Sequence, residues 1–317
     1  MTIGIKVSKL ISYSAWTKYH MCGKMYDIHY NKRLRPKGTT SALLFGVAMD
    51  EALNALLLKT GDPVEVFKEN FTYEMCKDIR WFKADLDPEI LTEEQLNKVK
   101  GKSEGYITWA CMRVKGRMLI EQYIEQIIPL ITEVHDVQLE TTRPGFIDAI
   151  LSLRGYGMVL IDHKTSSRYY KRDAVTSSSQ LALYAKQTGL SKAGFIVLHK
   201  QINKNKVKTC RDCGSSTTTS HKTCNQTVAG VRCHGGFDIL LNPQALIQVI
   251  VDDIPVATQD AVEKSVQQTE KAIAAGSFPM NLNQCDNVFG RRCPYYDLCR
   301  TGDKTGLEKA KERVKKK

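Results

Sequence analysis

Between residues 136 and 163 the chain turns from helical periodicity to strands. DVQLET (136–141), FIDAILSL (146–153) and MVLIDH (158–163) alternate or run apolar at strand length. Arg-Pro-Gly and Arg-Gly-Tyr-Gly turn signals stand between them, so the three read as one meander. Strands this apolar need covering layers, and the flanking segments carry the helical patterns that supply them.

Helices are expected over 11–30 after a serine cap, over 41–58 with Ser41 as cap, in parts of 62–100, and over 105–133, 174–188 and 244–276. Further strands are expected at 194–200 and 237–242. This order describes an α/β core, a mixed central sheet flanked by helices. The expected plan has an N-terminal helical region in 1–40, the core in 41–202 and 236–300, a polar Cys-rich insertion in 203–235, and a basic, disordered tail in 301–317.

Asp148 lies in the second strand of the meander. Asp162 ends the third, followed by His163 and Lys164. Neighbouring strands joined by a short turn bring such positions side by side, and a carboxylate pair at a strand end suits a hard divalent cation such as magnesium. Lys164 points to the same face as Asp162, because side chains on a strand alternate. Its ammonium can hold or polarise a water against a phosphate while a metal stabilises the developing charge. D-x-K is short and common, and in isolation it reads better as exposed aspartates and a solvated lysine. Here, however, Asp162 ends an apolar strand, where an unpaired carboxylate costs free energy unless something binds it.

GFIDAI, VLIDHKTSS and SSQLALY together resemble the RecB-like branch of the PD-(D/E)XK nucleases, which includes AddB-type domains and the exonucleases of CRISPR adaptation. The resemblance implies a restriction-endonuclease-like fold and a magnesium- or manganese-dependent DNA exonuclease. The family pattern is an Asp on one strand, Asp/Glu-x-Lys on the next, and a Q-x-x-x-Y helix. Gln180 and Tyr184 fit the last element and share a helix face; the resemblance gives them a role at the metal site and the DNA strand, while alone they read as a partly buried face. The family's Gly-x-x-x-His is matched by Gly46 to Asp50, so Asp50 stands where the histidine would. Asp50 is then either a hard oxygen ligand in place of imidazole or a surface aspartate on an amphipathic helix. The implied metal set is Asp50, Asp148, Asp162 and the backbone carbonyl of His163, with Lys164 activating the water. Glu140 is a further candidate.

Ten cysteines in a chain with no secretory signature suggest metal rather than disulfides. Cys210, Cys213, Cys224 and Cys233 have zinc-ribbon spacing in a segment too small and polar to build a core. His221 and His234 are possible substitutes for the last two ligands. Cys285, Cys293 and Cys299 form a second group that lacks a fourth ligand. The resemblance supplies Cys22: in the iron–sulfur branch one cysteine before the core and three after it hold a [4Fe–4S] cluster. Zinc on the same four ligands is the other reading. Cys76 and Cys111 read as small buried hydrophobes.

Net charge is +12, which favours a polyanionic partner such as nucleic acid. Tyr169, Tyr170, Lys171 and Arg172 suit stacking and phosphate contact with single-stranded DNA, or form a solvated loop. No apolar run of about 18 residues, no signal peptide and no P-loop is evident. A cytoplasmic protein acting on DNA, with a helicase or recombination partner, is the expected setting. The rival is a scaffold that kept the fold and lost the chemistry.

Overall fold

The computed structural model describes residues 10–200, 206–217, 223–228, 230–241, 246–286, 288 and 292–310. Lys204, His221, Lys222 and residues 311–317 lie outside the described residues. In chain order the elements are α1 (Tyr13–Met21), α2 (Gly23–Tyr26), β1 (Leu34–Pro36), α3 (Ser41–Leu58), α4 (Pro63–Asn70), α5 (Tyr73–Cys76), α6 (Glu93–Val99) and α7 (Glu104–Gln126). Then follow β2 (Ile131–Glu140), β3 (Phe146–Leu153), β4 (Gly157–Ser166), α8 (Ser179–Thr188) and β5 (Lys192–His199). The insertion holds β6 (Lys206–Cys210), β7 (Ser216–Thr217), β8 (Thr227–Val228), β9 (Val231–Arg232) and β10 (Phe237–Leu241). The chain closes with β11 (Ile247–Asp253), α9 (Val256–Ala274), α10 (Tyr296–Thr301) and β12 (Leu307–Lys309).

The central sheet has five strands in the order β11-β5-β4-β3-β2. β2, β3 and β4 form the expected antiparallel meander, and β5 returns through α8 to lie parallel to β4. One face packs on α3, α4 and α7 through Ala149, Leu151, Val159, Ile161, Ile196 and Leu198. The other packs on α8 through Ile150, Leu160, Phe195 and Val197. The mixed sheet between helical layers is therefore the architecture the sequence implied.

Several boundaries differ, each for a local reason. The helix expected over 105–133 stops at Gln126, because Pro129 interrupts it and the β-branched Ile131, Thr132 and Val134 enter the sheet. The helix expected over 244–276 starts only at Val256; IQVIVDD before it alternates with period two and adds the edge strand β11 against β5. The strand at 237–241 pairs with β6 inside the insertion and never joins the central sheet. The tail is ordered at least to Ala310, since β12 pairs with β1 and clasps the two ends of the chain. The helix over 11–30 breaks at Cys22 into α1, α2 and a π-helical turn at Asp27–Asn31.

The cap of α3 is Thr40 rather than Ser41: Thr40 Oγ1 accepts from Leu43 N. The fully buried Ser41 hydroxyl donates instead to Asp85 Oδ2 at 2.5 Å, drawing the 80–90 segment onto the helix. α3 is, against expectation, long and apolar enough by length and composition to cross a membrane. In the fold Phe45, Ala48, Met49, Ala52 and Leu53 are all but fully buried in the core. Arg143, from the Arg-Pro-Gly turn, is buried and binds Glu270 and Glu263 of α9, which pins the β2–β3 turn to the far layer.

Phe45, Phe67 and Phe71 form an aromatic triad between α3, α4 and α7, with centroids 5.5 to 5.7 Å apart. Burying each ring stabilises the fold by roughly 1.5–3 kcal/mol. Gly116 of α7 makes room for it: a Cβ there would lie 2.1 Å from Phe67 Cζ. Alanine is favoured over glycine inside a helix by about 1 kcal/mol. Overpacking a rigid core costs about 1–3 kcal/mol, and the Phe67 ring is fully buried against Phe45 and Phe71. Gly116→Ala should therefore lower the melting temperature by several degrees, and a scan showing equal or higher stability would contradict this packing.

Candidate active site and metal centres

β3 and β4 run paired from Leu153 and Gly157 to Ala149 and Ile161, and then part. β3 stays with β2, through Ile147 opposite Leu139 and Phe146 opposite Glu140. β4 stays with β5, as far as Ser166 opposite His199. Asp148 and Asp162 follow directly on the last paired residues, so both sit at the fork. There the His163 N–H donates to Asp148 Oδ2 at 2.8 Å in place of a ladder bond. The fork opens into a cleft of about 340 Å³ whose opposite wall is α3, with Gly46, Val47 and Asp50 facing Asp148, Asp162 and Lys164. Gly46 lines this wall, and a Cβ there would make only ordinary contact, with Thr165 Oγ1 at 3.7 Å.

Inside the cleft Lys164 Nζ lies 2.5 Å from Asp162 Oδ2, as the strand alternation requires. That buried oxygen has no other polar partner among the described residues. Lys164 also donates to Gln180 Oε1 at 3.4 Å, and Gln180 Nε2 donates to Tyr184 Oη at 3.5 Å. The Q-x-x-x-Y helix thus reaches the lysine through its glutamine. Asp50 is a cleft residue and not a surface one; Gln138 Nε2 contacts its two oxygens at 3.4 and 3.3 Å.

Burial pushes the Asp162 carboxyl up to about 7, against the pull of Lys164. Burial, and then repulsion from Asp148, pushes Asp50 up to about 7 as well. Asp148 is raised by burial, partly offset by the His163 N–H. Burial works against the Lys164 ammonium, but Asp162 and Asp148 outweigh it and hold its pKa above the ordinary value. Three carboxylates facing one ammonium leave two negative charges uncompensated once all ionise. An oxygen-rich, under-neutralised cleft fits a hard divalent cation.

His163 serves the site through its backbone. Its ring turns away, its Nε2 lies 2.9 Å from Tyr123 Oη on α7, and burial drives its pKa down to about 3, so it stays neutral. Glu140 is exposed and lines a separate hollow with Thr142 and Gln187. Tyr170 is packed on Phe195, and its backbone is held at both ends by the Gln248 amide at 2.9 Å. Tyr169 is 53% exposed with its ring tilted against that of His199, centroids 4.0 Å apart, while Lys171 and Arg172 are exposed beside it. None of these four lines the cleft. Gln138 and Tyr123 were not singled out from the sequence. Gln138 has φ 55°, a left-handed conformation inside a strand, and no local pattern announces it.

Four cysteines of the insertion converge as expected. Cys210, Cys213, Cys224 and Cys233 have their sulfurs within 4.8 Å of one another, with Cys210–Cys233 and Cys213–Cys224 both at 3.6 Å. Four thiolates about 2.3 Å from one tetrahedral ion stand about 3.8 Å apart, so this set can hold a metal ion. Hydrogen bonds with Ser215 bring the Cys213 thiol down to about 6, close to the thiolate a metal needs. His234 is exposed, and Cys233 takes the fourth position. Cys22, Cys285, Cys293 and Cys299 line one narrow hollow against Met25 and Tyr295. Among the described residues, the insertion cysteines are the one group gathered as tightly as a single ion requires. Cys76 and Cys111 are fully buried, as small hydrophobes.

The raised carboxyls fix a sign for pH dependence. The unfolded chain releases these protons near pH 4, whereas the folded cleft keeps them towards pH 7, so the metal-free site favours folding at low pH and loses that contribution as pH rises through about 7. Asp50→Asn should raise the metal-free melting temperature at pH 8 by about 2–6 °C, for roughly 1–2 kcal/mol of relieved repulsion. The difference should shrink as pH falls and close only near pH 4, where the unfolded chain holds the proton too. Magnesium should stabilise the wild type more at pH 8 than at pH 5, and a pH-independent increment would count against the carboxylates as ligands.

Neither the curated proteins nor the solved structures give a match to this chain. A family model does, that of the PD-(D/E)XK nuclease superfamily, over residues 10–300. The matched span contains the whole forked sheet, α8 and both cysteine groups. With nearly the full length matched and the acids and lysine gathered where the strands divide, the chain belongs to the PD-(D/E)XK nuclease superfamily.

Proposed function

We propose that this chain is a magnesium- or manganese-dependent deoxyribonuclease, exonucleolytic, of the RecB-like iron–sulfur branch. The observation that carries the reading is the under-neutralised cleft at the strand fork, with a single lysine among the buried Asp162 and the half-buried Asp50 and Asp148. Asp50, Asp148 and Asp162, with the His163 carbonyl, would hold the cation. When bound, such an ion polarises the phosphoryl oxygen and lowers the pKa of a water. Lys164, held by Asp162 and Gln180, orients that water towards the phosphorus. Gln180 and Tyr184 fix the lysine from α8. Asp50 offers oxygen where relatives have imidazole, which favours magnesium over softer ions.

The cysteine groups take different metals in this reading. The insertion set has the spacing of one zinc ion. The hollow of Cys22, Cys285, Cys293 and Cys299 joins residues from both ends of the chain with sulfurs standing farther apart, which suits a [4Fe–4S] cluster. Tyr169, Lys171 and Arg172 offer contacts to a DNA strand outside the cleft, and a helicase or recombination protein would supply duplex opening, since no P-loop is present.

The test is digestion of end-labelled and circular, single- and double-stranded DNA with magnesium and with chelator. Wild type should degrade the linear substrates only. Asp162→Ala and Lys164→Ala should each lose at least about 100-fold in rate. Equal activity in these variants, or none in the wild type with metal, would leave a DNA-binding scaffold as the better reading. Anaerobically purified protein should be brown and contain about four irons and about one zinc per chain. Cys213→Ser should lose the zinc and keep the iron; a colourless preparation with zinc alone would rule out the cluster.

A further inference from the structure

α7 carries a second feature that the cleft does not use. Its outer face, with α6 and α4 beside it, forms a groove of about 400 Å³ lined by Lys68, Lys98, Arg113, Arg117, Tyr106 and Trp109 and floored by small apolar side chains. No carboxylate lines it. Tyr73, Tyr106 and Trp109 form a partly exposed aromatic cluster with centroids 4.8 to 5.7 Å apart. The Arg113 guanidinium lies over the Trp109 ring at 5.0 Å, and among the described residues no carboxylate forms an ion pair with it. Lys68, Lys98 and Arg117 each have one exposed glutamate partner, Glu65, Glu94 and Glu121. Exposed pairs of this kind are worth about 0–1 kcal/mol, so a phosphate can displace them at little cost.

Basic side chains interleaved with aromatic faces bind single-stranded nucleic acid, because every base offers a ring to stack and every linkage a charge. The position agrees with that occupant. Tyr123, at the other end of α7, touches His163 beside the acids. From Trp109 to the fully buried Tyr123 is 14 residues, about 21 Å along the helix axis, so a strand laid over the surface between the two regions spans at least about six stacked nucleotides at ~3.4 Å each.

We propose that the groove between α6 and α7 is a secondary site for single-stranded DNA, which holds the substrate strand at least about six nucleotides from the scissile phosphate. It deepens the nuclease reading and rests on it for the identity of the ligand, though binding itself can be measured without cleavage.

The experiment compares oligodeoxynucleotides of about 4 and about 16 nucleotides, with binding measured in chelator and cleavage in magnesium. Arg113→Glu and Tyr106→Ala should each weaken binding of the longer strand about tenfold, and raise its KM alike, without changing kcat or cleavage of the shorter one. Melting temperatures report whether either variant is misfolded. As a readout independent of mutation, a halogenated-uracil oligonucleotide should photocrosslink to the wild type at Tyr106 or Trp109. Unchanged affinity for the longer strand in folded variants, or crosslinks confined to other elements, would overturn the proposal. Competition by polyglutamate but not by the oligonucleotide would also overturn it, in favour of an acidic peptide. If the wild type binds the longer strand through the groove yet cleaves nothing, the nuclease reading fails and the groove stands. If it cleaves both lengths with equal KM, the groove fails and the nuclease stands.

Discussion

The decision of β3 and β4 to part after Ala149 and Ile161 governs the rest of the structure. Two strands that stayed paired would bury Asp148 and Asp162 against one another in a closed sheet, at a prohibitive desolvation cost. Parting lets each strand keep its other neighbour and leaves a wedge between them. The wedge must be lined by something polar yet shielded, and the His163 N–H that it frees is given to Asp148. The site is therefore a property of sheet topology as much as of the residues at its edge.

Like charges at the fork make the site unstable by design, and the surrounding layers hold it together. Lys164 offsets part of the repulsion, Gln138 contacts Asp50 from β2, and Tyr123 bonds the His163 ring. Proteins tolerate such frustration where function needs it. The clasp of β1 with β12 and the Cys22 hollow tie the chain through residues that do not line the cleft.

Much of this was legible in the residues. Apolar strands and their turn signals placed the meander, and the alternation of side chains placed Lys164 beside Asp162. Spacing alone paired the insertion cysteines. What escaped had no local signature. β11 is hidden because IQVIVDD abuts a strongly helical run, and β10 reads simply as a strand following the insertion because pairing partners are not written in a strand's own pattern. The left-handed backbone of Gln138 is imposed by tertiary context, and the hydroxyl of Tyr123 belongs to a helix whose pattern speaks only of burial. Asp50 could be read as surface or site until the glycine one turn earlier proved to open onto the cleft.

α7 spans 23 residues without a break, with one end against His163 and the other beneath the aromatic cluster. A helix is stiff, so it acts as a ruler. The separation of the two regions is counted in residues, about 1.5 Å for each, and the facing direction is counted in turns. A relative that kept both regions could alter their spacing only in steps that restore the same face, about seven residues or roughly 10 Å at a time. The length of this helix is thus a dimension of the molecule, written in the sequence as a number.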